Sequence, residues 1–239
     1  MNEVNKEVIG KYGAVKKFFG VIFEPAKSFE EIKDKPTFLF PFIIMSIVVG
    51  VTTYAMMPYM DIISAYSLEL MGVTPDHPAF QQQNVQQPLF ITIPLGILSV
   101  ILGWVVMAGL CRLLSMIFVG EGNFKKDLSV FANTYVFSLI GSIISAVLLV
   151  ATGSAAKMNV SLSLFTPFLE KTSFTFWLLN SINIFTLWGL IIAALGISIV
   201  ENIKKVKAYL IVFTPWLLGK IIVVAFNVLL VIPQLQRMG

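Results

Sequence analysis

The sequence predicts an all-α integral membrane protein, a bundle of five transmembrane helices behind an amphipathic cytoplasmic N-terminal segment. Three observations predict it. Of 239 residues, 57% are apolar and 13% are charged, whereas water-soluble domains carry about 25% charge. Apolar runs of membrane-spanning length recur five times along the chain. Lysine and arginine fall in alternate connecting segments, as expected of a chain threaded through a bilayer.

A hydrocarbon core about 30 Å thick needs roughly 20 residues of helix, because an unpaired peptide group in lipid costs several kcal/mol and a helix pairs its own. The qualifying runs are Phe38–Met60, Leu89–Val119, Leu128–Ala151, Phe174–Val200 and Ala208–Ile232. They predict one membrane domain over residues 38–232, preceded by a basic segment (1–37) and followed by a short extracytoplasmic tail (233–239). No room is left for a separate catalytic domain. The second run exceeds the required length, so it should tilt or emerge as a turn around Arg112.

Seven lysines precede the first run and none lies between Asp61 and Pro88. Lys125 and Lys126 follow the second run, Lys157 and Lys171 the third, and Lys204, Lys205 and Lys207 the fourth. Cationic loops are retained in the cytoplasm. The expected topology is multi-pass in the cell membrane, N-terminus cytoplasmic and C-terminus extracytoplasmic. The basic first 37 residues lack a long apolar stretch, so the first span is expected to act as an uncleaved anchor.

Within the N-terminal segment, Ala14–Phe23 interleaves lysines with aromatic and aliphatic residues, the pattern of a short helix in the headgroup layer. Pro25 stops it. Ser28 and Glu31 form a capping box opening a second short helix that carries Phe29 and Ile32, and Pro36 redirects the chain. Lys16, Lys17, Lys204 and Lys205 are the expected contacts to anionic lipid headgroups, at about 1 kcal/mol each near such a surface. Beyond the first span, Asp61–Met71 predicts an interfacial helix, and the Gln-rich segment Pro75–Pro88 a flexible loop holding the single histidine, His77, as a solvated residue.

Three segments together resemble the Yip1-domain family, specifically its bacterial branch: Phe19–Leu39 (FGVIFEPAKSFEEIKDKPTFL), Gly120–Ala132 (GEGNFKKDLSVFA) and Asn183–Ser198 (NIFTLWGLIIAALGIS), followed by Lys204 and Lys205. Glu24 stands where that branch often has asparagine, and Asn133–Phe137 lacks a proline common early in the third span. The resemblance implies five spans. It also implies the role of some bacterial members, which look like accessory membrane components of multi-component ABC-type exporters, including exporters that protect cells against toxic peptides. The partner implied is an exporter permease or adaptor.

The polar residue hardest to explain as packing is Lys220, near the middle of the fifth run, where a cation costs about 2.5 to 3.5 kcal/mol on insertion scales. Its candidate partners are Asn227 on the same helical face, Asn180, Asn183, or carbonyls released where Pro215 and Gly219 break the helix. Asn180 and Asn183, three apart, suit hydrogen bonding to a neighbouring helix. Gly141 with Ser145, and Gly189 with Ala193, are small-x-x-x-small pairs marking helix-packing faces.

Motifs for proteolysis, serine hydrolysis and ATP hydrolysis do not occur, and Cys111 and His77 are too few for a metal site. No enzyme, cofactor, metal or nucleic-acid partner is expected. The residues predict a non-enzymatic accessory or assembly subunit. The alternative is a small transporter or channel in which Lys220 lines a polar cavity.

Overall fold

The structure is a computed structural model and describes residues 13–74, 77–78, 88–119 and 122–237. Its helices are α1 (Ala14–Phe23), α2 (Pro25–Asp34), α3 (Leu39–Met56), α4 (Met60–Leu70), α5 (Leu89–Val119), α6 (Phe124–Thr134), α7 (Val136–Thr152), α8 (Phe174–Asn180), α9 (Ile184–Val200), α10 (Lys205–Phe226) and α11 (Ile232–Arg237). No β-strand occurs among the described residues; Ser161 and Asn183 form an isolated antiparallel bridge.

Among the described residues, four helical stretches are long and apolar enough to cross a membrane: Leu39–Leu70, Leu89–Ile117, Phe124–Thr152 and Lys205–Arg237. The fourth expected span, over residues 174–200, is divided. Ile184–Val200 remains as a shorter apolar helix. The division has a local cause. Ile182 O accepts from Leu162 N at 3.0 Å and Ile184 N donates to Val160 O at 3.1 Å, so the backbone pairs with a neighbouring loop there. Asn183 Oδ1 then accepts from Phe185 N at 2.9 Å, taking an amide that starts the next helix.

Other expectations shift in similar ways. Helix α2 begins at Pro25, whose fixed φ suits a first helical position. Ser28 therefore lies inside the helix, fully buried, and caps nothing. Helix α5 runs without interruption past Arg112. Helix α10 passes through Pro215 and Gly219 unbroken. Proline lacks the N–H that would bond the carbonyl four residues back, and the carbonyl so freed, Ile211 O, meets the buried Cys111 Sγ at 3.6 Å. The irregularity falls later, as a π turn at Asn227–Val231. Helix α4 occupies the stretch expected to be an interfacial helix. Most of the Gln-rich loop lies outside the described residues, but His77 is 7% exposed and its Nε2 lies 2.9 Å from Leu235 O, not solvated as expected.

The chain forms two compact units, Met1–Ile47 with Ile97–Leu139 and Thr186–Trp216 (unit 1), and Val48–Gly96 with Ile140–Phe185 and Leu217–Gly239 (unit 2). In unit 1, α9 supplies the centre: Ala193, Ala194 and Ile197 are at most 1% exposed. Gly196 admits the close approach of α2 there, since a Cβ at that position would lie 2.8 Å from both Phe29 and Val130. Phe18, Val21, Phe29 and Ile32 bury one face of the α1 and α2 pair. Lys17 Nζ closes the end of α2 by donating to Glu31 O (3.1 Å) and Lys35 O (2.9 Å). Unit 2 holds α4, α8 and the loop between α7 and α8, stitched by the Ser161 and Asn183 bridge.

Candidate functional site

Two polar groupings stand out, one in each unit. In unit 1, Asn123 caps α6, its Oδ1 accepting from Lys125 N (3.1 Å) and Lys126 N (3.2 Å). The Asn123 N–H donates to Glu201 Oε1 at 2.8 Å. One turn into α6, Asp127 is fully buried, and no hydrogen-bond donor reaches either of its oxygens. Its charged neighbours are Glu201, Arg112 and Lys126. The Arg112 Nη1 atom is also buried without an acceptor. Two carboxyl groups in contact repel unless they hold a proton between them or draw on a nearby cation. The sequence signal for this grouping was weak: Arg112, Asp127 and Glu201 are 15 and 74 residues apart in turn, and only the fold brings them together.

In unit 2, Asn180 Oδ1 accepts from Asn159 Nδ2 (2.9 Å), Ser163 Oγ (3.0 Å) and Ser161 Oγ (3.3 Å). Asn159 Oδ1 in turn accepts from Ser161 N at 3.0 Å. Asn159 and Asn180 of this network line a cavity of about 270 Å³ that also takes in Tyr66 and Asn183. An adjoining cavity of about 670 Å³ shares Tyr66 and Ala155 and includes Glu69 and Lys171. Those two form an exposed ion pair at 2.9 Å, and the hydrogen bond that Lys171 Nζ donates to Glu69 Oε1 raises the Lys171 pKa above its ordinary value.

The residues singled out from the sequence do not assemble as expected. Lys220 is half-buried in α10, and no hydrogen bond or ion pair of the described residues reaches it. Asn227 Nδ2 donates to Val223 O at 2.8 Å, back along its own helix. Asn180 is the centre of the unit 2 network, while Asn183 lines the same cavity and accepts from Phe185 N. Gly141 lies against Phe185, with 3.0 Å for a Cβ, and Gly189 against Thr134 O, with 3.2 Å. Ala193 is 1% exposed, while Ser145 lines the smaller unit 2 cavity. Of the four lysines placed at the lipid surface, Lys16, Lys204 and Lys205 are exposed but Lys17 is 2% exposed. Its ammonium turns inward because the end of α2 presents two carbonyls. Burial lowers its pKa, with Glu31 and Asp34 opposing that shift and Lys35 adding to it. Among the described residues no group of three or more His, Cys, Asp or Glu side chains is placed to hold a metal ion.

The sequence model of the Yip1 domain matches residues 19–226, most of the chain and both units. The chain belongs to the Yip1 domain family. An uncharacterized protein of Methanocaldococcus jannaschii is similar to this Yip1 domain, 38% identical over 64 residues. That segment covers 25% of the chain and 45% of the archaeal protein, so less than half of the relative is spanned. No solved structure matches. The Yip1 domain therefore brings a multi-pass membrane class, into which the four long apolar helices fit.

Proposed function

We propose that this Yip1 domain protein is a non-enzymatic accessory or assembly subunit in the cell membrane, of the bacterial branch, working with an ABC-type exporter that protects against toxic peptides. The observation that carries the assembly reading is how little of its apolar helix surface the chain itself covers. Only 6% of the most apolar window of Leu89–Ile117 is buried, and 11% of those in Leu39–Leu70 and Lys205–Arg237. Lipid alone accounts for aliphatic faces. It accounts less well for glycines on such faces, which lower helix propensity by about 1 kcal/mol relative to alanine. Gly103 and Gly109 in α5 have nothing within 4 Å of where a Cβ would be. In membranes such residues mark positions where another helix approaches closely.

The topology that goes with this reading has five crossings, α8 and α9 together making the fourth, the N-terminus inside and the C-terminus outside. The twelve cationic residues on the inner side of that arrangement support it. Exposed Lys16, Lys204 and Lys205 are the contacts to anionic lipid, and an exporter permease or adaptor is the partner. The exporter association itself rests on the family resemblance. The channel alternative has no comparable support: Lys220 lines neither of the unit 2 cavities.

Co-purification in mild detergent tests the proposal. An ABC-type ATPase or permease should accompany the chain, and Gly103→Leu or Gly109→Leu should release it while leaving membrane insertion intact. A chain that purifies alone under conditions that keep its own fold, or that retains its partner in both variants, refutes the reading.

A further inference from the structure

The adjoining unit 2 cavities combine three kinds of surface. The first is the neutral network at Asn180. Because Asn159 Oδ1 accepts from Ser161 N, its Nδ2 is the group that donates to Asn180 Oδ1; that fixes the Asn180 amide and leaves its Nδ2 without an acceptor among the described residues. The Tyr66 hydroxyl, on the wall common to both cavities, also makes no hydrogen bond there. The second surface is apolar, with Ile63, Met158 and Val160 around the smaller cavity. The third is the Glu69 and Lys171 ion pair at the larger cavity, whose side chains are 61% and 53% exposed. An exposed pair of this kind is weakly held and readily exchanged for other partners.

We propose that these two cavities form one binding site for a short zwitterionic peptide. A peptide carbonyl accepts from Asn180 Nδ2 and Tyr66 donates to or accepts from the neighbouring amide, as a free neutral donor and a hydroxyl allow. An aliphatic side chain of the peptide lies against Ile63 and Met158. The terminal ammonium takes Glu69 and the terminal carboxylate takes Lys171, so the ion pair opens into two charge-assisted bonds. A neutral sugar would satisfy the amide and the hydroxyl but leave both charges unused. A lipid headgroup of single charge would match one of them and repel the other. The cavity volumes, about 270 and 670 Å³, lie at the scale of small-ligand sites, roughly 300 to 1,000 Å³.

The site is contained in unit 2, so it stands or falls independently of whether an exporter co-purifies. The test is titration calorimetry on the purified full chain in detergent or nanodiscs, with the tripeptide Ala-Leu-Ala bearing free termini as probe. Saturable binding is expected, weakened at least tenfold when the same peptide is N-acetylated and C-amidated. Tyr66→Phe and the double substitution Glu69→Gln with Lys171→Gln, which spare the Asn180 network, should each raise Kd at least fivefold with an unchanged helical circular dichroism spectrum. Asn180→Asp, which keeps the acceptor and removes the donor, should do the same. Equal binding of the blocked peptide, displacement by glucose at equal concentration, insensitivity to Tyr66→Phe and to the double substitution, or absence of heat at millimolar peptide each overturns the proposal.

Discussion

Asp127 is buried without a hydrogen-bond donor beside the Glu201 carboxylate, a desolvation and repulsion that Arg112 and Lys126 offset only in part. Replacing it by asparagine removes that cost and supplies an N–H toward Glu201. Asp127→Asn should therefore raise stability by about 1 kcal/mol or more, read as a higher unfolding midpoint in detergent; a lower midpoint would show that the carboxylate is held by contacts the geometry lacks. Lys17 behaves in the opposite sense. Its ammonium satisfies two carbonyls at the end of α2, so Lys17→Met should cost about 1 to 3 kcal/mol. Because its folded pKa lies below the ordinary lysine value, the unfolded chain binds more protons in the window between the two. Stability should rise with pH across that window, and the Met variant should lose this slope. None of this was visible along the sequence, where Lys17 reads as one lysine in a basic run and Asp127 as the last residue of a loop.

At the level of elements, the proline in α10 shows how a helix survives a residue that should break it. The sequence placed Pro215 inside an apolar run and suggested a break. The fold instead sets Cys111 of α5 against the Ile211 carbonyl that proline leaves open. Cys111→Val should destabilise by less than about 1 kcal/mol, since a thiol is a weak donor. In a Pro215→Ala background the same change should cost almost nothing, because an alanine at that position would return an N–H to Ile211 O. A double-mutant cycle with no coupling between the two positions would refute this account. The divided segment around Asn180 and Asn183 makes the converse point. Hydropathy alone read residues 174–200 as one span, yet amide side chains that compete for backbone groups, and a loop that pairs with the exposed backbone, end the helix there.

For the whole molecule, the decisive quantity is how the long apolar helices meet their solvent. Leu89–Ile117, with 6% of its most apolar window covered by the chain, is a lipid- or partner-facing helix, whereas α9 is packed into unit 1 on most of its length. The lysine distribution then predicts orientation. A reporter fused after Gly239 should be active outside the cytoplasm and one placed between Lys204 and Lys205 inside it; a cytosolic C-terminal reporter would mean an even number of crossings.

Apolar length and lysine placement in the sequence determined the membrane class and four of the spans, because the cost of an unpaired peptide group in lipid is a local property of any twenty-residue window. The family was legible too, in motifs that keep their order along the chain. The tertiary structure alone decided where α8 ends, which lysine turns inward, and which polar side chains meet. Those outcomes depend on groups such as Asn159 with Asn180, or Arg112 with Glu201, whose separation in the chain carries no record of their proximity in space.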